Sequence, residues 1–173
     1  MNIGELLVNV ITVLLFYFFI SRTFTLRRLH WICRGIGLML LFVLITLLNL
    51  MNIAPTITCV SGLICQILYT TVFAEGSRGA RLLIGGIPAL LAVVSDSVTF
   101  SVLGILFQDT SEALTVNSAI RSQALVIYIL TYCLLIWAVI QFFPQDLKFP
   151  GYFEGVIFLT CGLGVFASDI LLK

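Results

Sequence analysis

Six long apolar stretches, each bounded by charged or turn-forming residues, occupy most of this 173-residue chain. They fall at about 3–21, 31–51, 56–74, 81–107, 124–143 and 152–172. Each is close to or above the roughly 20 residues a helix needs to cross the hydrocarbon core of a bilayer. A water-soluble domain could not hide such stretches, because 61% of the residues are hydrophobic and only 10% are charged. In lipid every backbone amide must be paired inside the structure, which leaves helices or a closed barrel. A barrel needs alternating apolar and polar residues over about ten positions, and these stretches are apolar on every face. The sequence therefore predicts an all-α, polytopic integral membrane protein. It is a single membrane domain over 1–173, a bundle of about six transmembrane helices. Short loops leave no room for a soluble catalytic domain of roughly 100 residues.

The connections set the expected boundaries. The run 52–55 reads as a tight turn, and Pro55 starts the third helix without losing a needed donor. The run 75–79 reads as a loop. Pro88 removes one hydrogen bond from the fourth helix, so a kink is expected near Gly85. The run 108–123 is the one sizeable polar connection, part of it expected as a short interfacial helix. The first charge is Glu5 and no small-residue cleavage pattern follows, so the first stretch is expected to stay as a helix rather than be removed as a signal peptide.

Charge placement predicts orientation. Of nine Lys and Arg residues, seven (Arg22, Arg27, Arg28, Arg34, Arg78, Arg81 and Lys148) lie after the first, third or fifth stretch, and two (Arg121 and Lys173) lie on the other side. Basic residues collect on the cytoplasmic side. The expectation is a multi-pass cell-membrane protein with an extracellular N-terminus and with the loops after helices 1, 3 and 5 in the cytoplasm. Arg22, Arg27, Arg28 and Arg34 suit anionic lipid headgroups, making the bilayer itself the first partner. Trp31 and Tyr152 fit interfacial belts. A net charge of +1 without a clustered basic face argues against nucleic acid.

Few residues could carry chemistry. Asp96 lies in mid-span between Ser95 and Ser97, where a carboxylate costs about 3 kcal/mol on insertion scales. It must face the bundle interior, find a partner or be protonated. One reading is a ligand or proton site formed with Ser95 and Ser97; the other is an interhelical hydrogen bond that fixes packing. Asn49 and Gln66 could join such a site or merely bridge helices. Asn52 reads as a turn cap. Glu5, Glu154 and Asp169 lie near helix ends, where snorkelling explains them. Asp109, Glu112 and Arg121 are the candidates in the outer polar connection.

No metal or cofactor site is expected, and no catalytic motif is present. The cysteines (Cys33, Cys59, Cys65, Cys133 and Cys161) form no CxxC pair and read as small packing residues. The single histidine, His30, forms His-x-x-Cys with Cys33, but neither a zinc site nor a Ser-His-Asp triad can be assembled around it. No phosphate-binding loop occurs: Gly162 and Gly164 lie inside an apolar stretch, where small residues allow close helix approach.

Several features together resemble a family. The run Phe73-Ala74-Glu75-Gly76-Ser77 is followed by Arg78 and Arg81, then by an apolar helix and an acid between serines at Ser95-Asp96-Ser97. With Arg27-Arg28, Leu47-Leu48-Asn49-Leu50 and Thr110-Ser111-Glu112-Ala113-Leu114, this is similar to the membrane sensor region of bacterial GHKL-type histidine kinases, the quorum-sensing receptor kinases of Firmicutes and their relatives. Members commonly carry Glu where this chain has Asp96. The resemblance implies a two-component signal-transduction module that senses a peptide or small-molecule signal and forms a homodimer. The family places a dimerisation helix and an ATP-binding domain after the membrane region; this chain stops at Lys173, so a separate kinase domain is the implied partner. Two alternatives remain open: a small transporter or substrate-binding membrane subunit, with Asp96, Asn49 and Gln66 lining its pocket, and a membrane peptidase that processes signal peptides.

Overall fold

The computed structural model describes residues 3–27, 31–51, 55–106 and 118–142. Five helices account for nearly all of them: α1 (Ile3–Thr23), α2 (Trp31–Leu50), α3 (Pro55–Phe73), α4 (Arg78–Leu106) and α5 (Ser118–Phe142). Among the described residues there is no strand. The helical class is thus observed, while the expected sixth helix at 152–172 lies outside the described residues. Four helices (α1, α2, α4 and α5) are long and apolar enough to cross a membrane, and the apolar part of α3, Ile57–Phe73, is shorter.

Two boundaries differ from the sequence reading. Helix α4 begins at Arg78 rather than near 81, because the Ser77 hydroxyl accepts a hydrogen bond from the Ala80 amide at 3.2 Å. That is an N-cap, which satisfies an amide the first turn leaves unpaired. Helix α5 begins at Ser118, so residues 118–123 belong to it rather than to a polar connection. Helix α4 is continuous through Pro88.

The helices form a ring. Each packs against its neighbour in sequence, and α5 closes the ring against α1. Helices α3 and α4 are closest, and glycine explains it. A Cβ placed on Gly85 would come within 2.8 Å of the Thr70 Cβ, and one on Gly86 within 3.1 Å of a Leu63 methyl. Arg81 ties the same pair together. It is buried on α4, and its Nη1 donates to the Thr71 carbonyl at 2.7 Å. Thr71 lies in the last turn of α3, where carbonyls lack helical partners and the helix dipole favours a cation.

The core fills one end of the ring. Phe16, Phe19 and Ile20 of α1, Leu41 of α2, Tyr69 of α3, Ile84 and Ile87 of α4, and Tyr132 and Ile136 of α5 form one buried cluster. Tyr69 sits edge-on to Phe16 with ring centres 5.4 Å apart, and it also meets Phe73 at 4.6 Å. Beyond this cluster, at the arginine-rich end, the α1–α2 and α3–α4 connections are joined. The Arg27 amide donates to the Phe73 carbonyl and the Glu75 amide to the Thr25 carbonyl, both at 2.9 Å, giving an isolated antiparallel bridge between Leu26 and Ala74. Gly76, with φ of 138°, takes the left-handed turn that leads into α4.

Candidate functional site

The other end of the ring is hollow. A cavity of about 550 Å³ lies among the N-terminal parts of α1, α3 and α5 and the C-terminal parts of α2 and α4. Its shape follows from residue size. Where the packed end carries phenylalanine, tyrosine and isoleucine, the cavity end presents Gly62, Ala89, Ala92 and Ala124, which cannot fill the space between five helices. The volume lies within the range of about 300–1,000 Å³ usual for small-molecule pockets.

Polar side chains from all five helices reach this cavity. On α4 its wall is a stripe, Ala89, Ala92, Val93, Asp96, Thr99, Phe100 and Leu103, at the three- and four-residue spacing of one helix face. Asp96 is accessible on this stripe, ten residues from the end of α4 at Leu106 and so about 15 Å along the axis. Asn49 and Gln66 line the same space, so three of the candidates read from the sequence come together. Gln66 is 4% exposed, and its Oε1 has no hydrogen-bond partner among the described residues.

Ser95 and Ser97, grouped with Asp96 on sequence adjacency, do not join it. Each is turned about 100° away on the helix. Ser95 Oγ donates to the Leu91 carbonyl at 2.8 Å, and Ser97 Oγ to the Val93 carbonyl at 3.1 Å. Both hydroxyls are used within their own helix, and neither residue belongs to the cavity wall.

Two layers cross the cavity between α1 and α5. At the rim, Arg121 forms an ion pair with Glu5. Arg121 is therefore a helical rim residue rather than part of an outer loop, and its charge already has a partner. Seven residues further along each helix, Tyr128 and Thr12 line the cavity together, with Tyr128 in the field of the Asp96 carboxylate. The equal offset of seven residues shows that α1 and α5 run parallel and in register, with the layers about 10 Å apart.

Asn9 was not singled out from the sequence. It is buried on α1, donates to Thr46 Oγ1 at 3.4 Å and accepts from Asn49 Nδ2 at 3.0 Å. The signal that could have found it is an amide side chain within an apolar run at a depth matched by Asn49 on the antiparallel neighbour. Arg34, expected in the headgroup layer, is partly exposed, and its Nε is enclosed without a hydrogen-bond partner among the described residues. Arg22 is exposed and lies 5.4 Å over the Phe18 ring; Arg27 is exposed as well. Arg28, His30, Asp109, Glu112, Glu154, Asp169 and Cys161 lie outside the described residues.

No group of three or more His, Cys, Asp or Glu side chains that could hold a metal ion gathers among the described residues. The arrangement offers reversible binding: a carboxylate, amide oxygens and a phenol around a small apolar-walled space. Comparison with protein-family models, with curated proteins and with solved structures finds no match to this chain.

Proposed function

We propose that this chain is a membrane-embedded sensing module of the kind that precedes a GHKL-type histidine kinase, with the cavity as its signal site. The observation that carries the reading is the division of the bundle into a hollow half and a packed half. In the orientation that the basic residues favour, the N-terminus is extracellular, the cavity lies toward the outside and the arginine-rich end toward the cytoplasm. A ligand entering the hollow half makes contacts that depend on how the helices are spaced. It therefore favours one spacing over another, and the packed half carries that preference to the cytoplasmic end. The module acts as a homodimer and transmits to a kinase domain in the same reading frame or on a partner chain.

The test is the genomic sequence beyond codon 173. A frame that continues into a dimerisation helix and nucleotide-binding domain, or an adjacent kinase and response-regulator pair, is the expected result. Neighbouring genes for an ATP-driven or ion-coupled transporter overturn it.

A second reading, a small-solute transporter or capture subunit, is favoured by one observation: Asp96, Asn49, Gln66 and Tyr128 converge on a single space. Uptake of a solute into vesicles containing the purified chain would support it over sensing.

A further inference from the structure

We infer that the cavity takes an apolar molecule bearing one nitrogen cation, an ammonium or a guanidinium, with the charged head engaging Asp96 and Gln66. The inference rests on the reading of the cavity as the signal site, and it adds the chemical class of the signal.

The electrostatics point one way. Asp96 is an acid held about 15 Å from the end of its helix, far from headgroups that could solvate it. The wall's basic residue, Arg121, is paired with Glu5 at the rim, so its charge is already answered before the Asp96 layer is reached. A carboxylate-bearing guest would therefore meet a like charge on the cavity wall. A cationic head would meet its complement.

The hydrogen-bond inventory points the same way. Gln66 is 4% exposed, lines the cavity, and has an Oε1 without a partner among the described residues. A buried acceptor left in that condition is destabilising, and only a donor relieves it. An ammonium brings three N–H donors and no acceptor, and a guanidinium five. Tyr128 adds an aromatic ring to the same cavity wall as Asp96, a surface that attracts cations. The remaining wall is mostly apolar, with Leu48, Ala89, Ala92, Phe100 and Leu103 beside a few threonines and asparagines, and suits a hydrocarbon or aromatic body.

The experiment uses the full chain in lipid nanodiscs and a fluorescent probe, 2-naphthylethylammonium. Its alcohol and carboxylate counterparts on the same skeleton serve as comparisons, and empty discs correct for partitioning. The expected result is saturable binding, with the ammonium at least tenfold tighter than either counterpart. Asp96→Asn is expected to erase that preference and Gln66→Leu to weaken ammonium binding severalfold. Asp96→Glu is expected to keep the preference, which separates loss of charge from loss of fold. Equal affinity for ammonium and alcohol, a preference that survives Asp96→Asn, or binding no greater than in empty discs overturns the inference. An apolar tripeptide with a free N-terminus and its N-acetylated twin identify the source of the cation. Tighter binding of the free peptide than of the naphthyl amine assigns a peptide N-terminus, and weaker binding assigns a small amine. These readouts are independent of gene context. A kinase frame without ammonium selectivity removes the ligand class alone, and selectivity beside transporter genes removes the sensor reading alone.

Discussion

Asn49 donates its side-chain amide to the Asn9 carbonyl oxygen across 3.0 Å, joining α2 to α1 at the wall of the cavity. In hydrocarbon the alternatives for such groups are few, and interhelical hydrogen bonds in membrane proteins contribute on average about 0.6 kcal/mol and up to about 1.7. Asn9→Leu and Asn49→Leu should each lower stability within that range. The double variant should cost less than the sum, because either change alone removes the shared bond. Unfolding in mixed micelles checks this, and strict additivity would show that the two amides act separately.

The glycines of α4 should rank by what stands opposite them. Gly85→Ala drives a methyl to 2.8 Å from the Thr70 Cβ, a backbone-anchored atom, so α3 and α4 must part, at a cost of about 1–3 kcal/mol. Gly86→Ala meets the mobile end of Leu63 at 3.1 Å and Ile67 at an ordinary 3.6 Å, and should cost less. Gly79→Ala meets nothing within 4 Å and should be neutral or stabilise the helix by up to about 1 kcal/mol. Thermal unfolding of the three variants in one detergent gives the order, and a Gly79 variant less stable than Gly85→Ala would refute it.

Arg81 is expected to be structural. Its Nη1 bond to the Thr71 carbonyl is charge-assisted, and such bonds contribute about 1.5–3 kcal/mol. Arg81→Met keeps the apolar stem and removes the donor. It should lower the unfolding midpoint and raise hydrogen exchange in the last turn of α3, while leaving cavity binding nearly unchanged. Exchange that rises at the cavity end instead would contradict this assignment.

The Glu5–Arg121 pair should matter less than its position suggests. The two side chains are 22% and 51% exposed, so water and salt weaken the attraction. Glu5→Gln should cost under about 1 kcal/mol at low ionic strength, and the difference from the unaltered chain should shrink as salt is added. A difference that grows with salt would exclude an ion pair as its cause.

The helices were legible because lipid demands long apolar runs, and such runs are visible one residue at a time. Their ends were less so. Ser77 moves the start of α4 forward by capping it, an effect of one hydroxyl that hydropathy does not register. Helix α5 extends back to Ser118 because a helix can continue into polar residues once it is under way. The site was legible in part. Asp96, Asn49 and Gln66 stood out as polar residues in apolar surroundings, and they do share one cavity. Ser95 and Ser97 misled because adjacent residues on a helix look in different directions. The cavity could not be foreseen, since it depends on which helix faces meet.

The bridge between Leu26 and Ala74 has a mechanical consequence. It rivets two helical hairpins together at one extremity, just past the aromatic cluster, so the arms share a fulcrum. At that extremity the two hairpins therefore cannot slide past one another without breaking the paired amides. Any rearrangement of one hairpin at that end must carry the other with it, because the Arg27 and Glu75 amides are paired across the join.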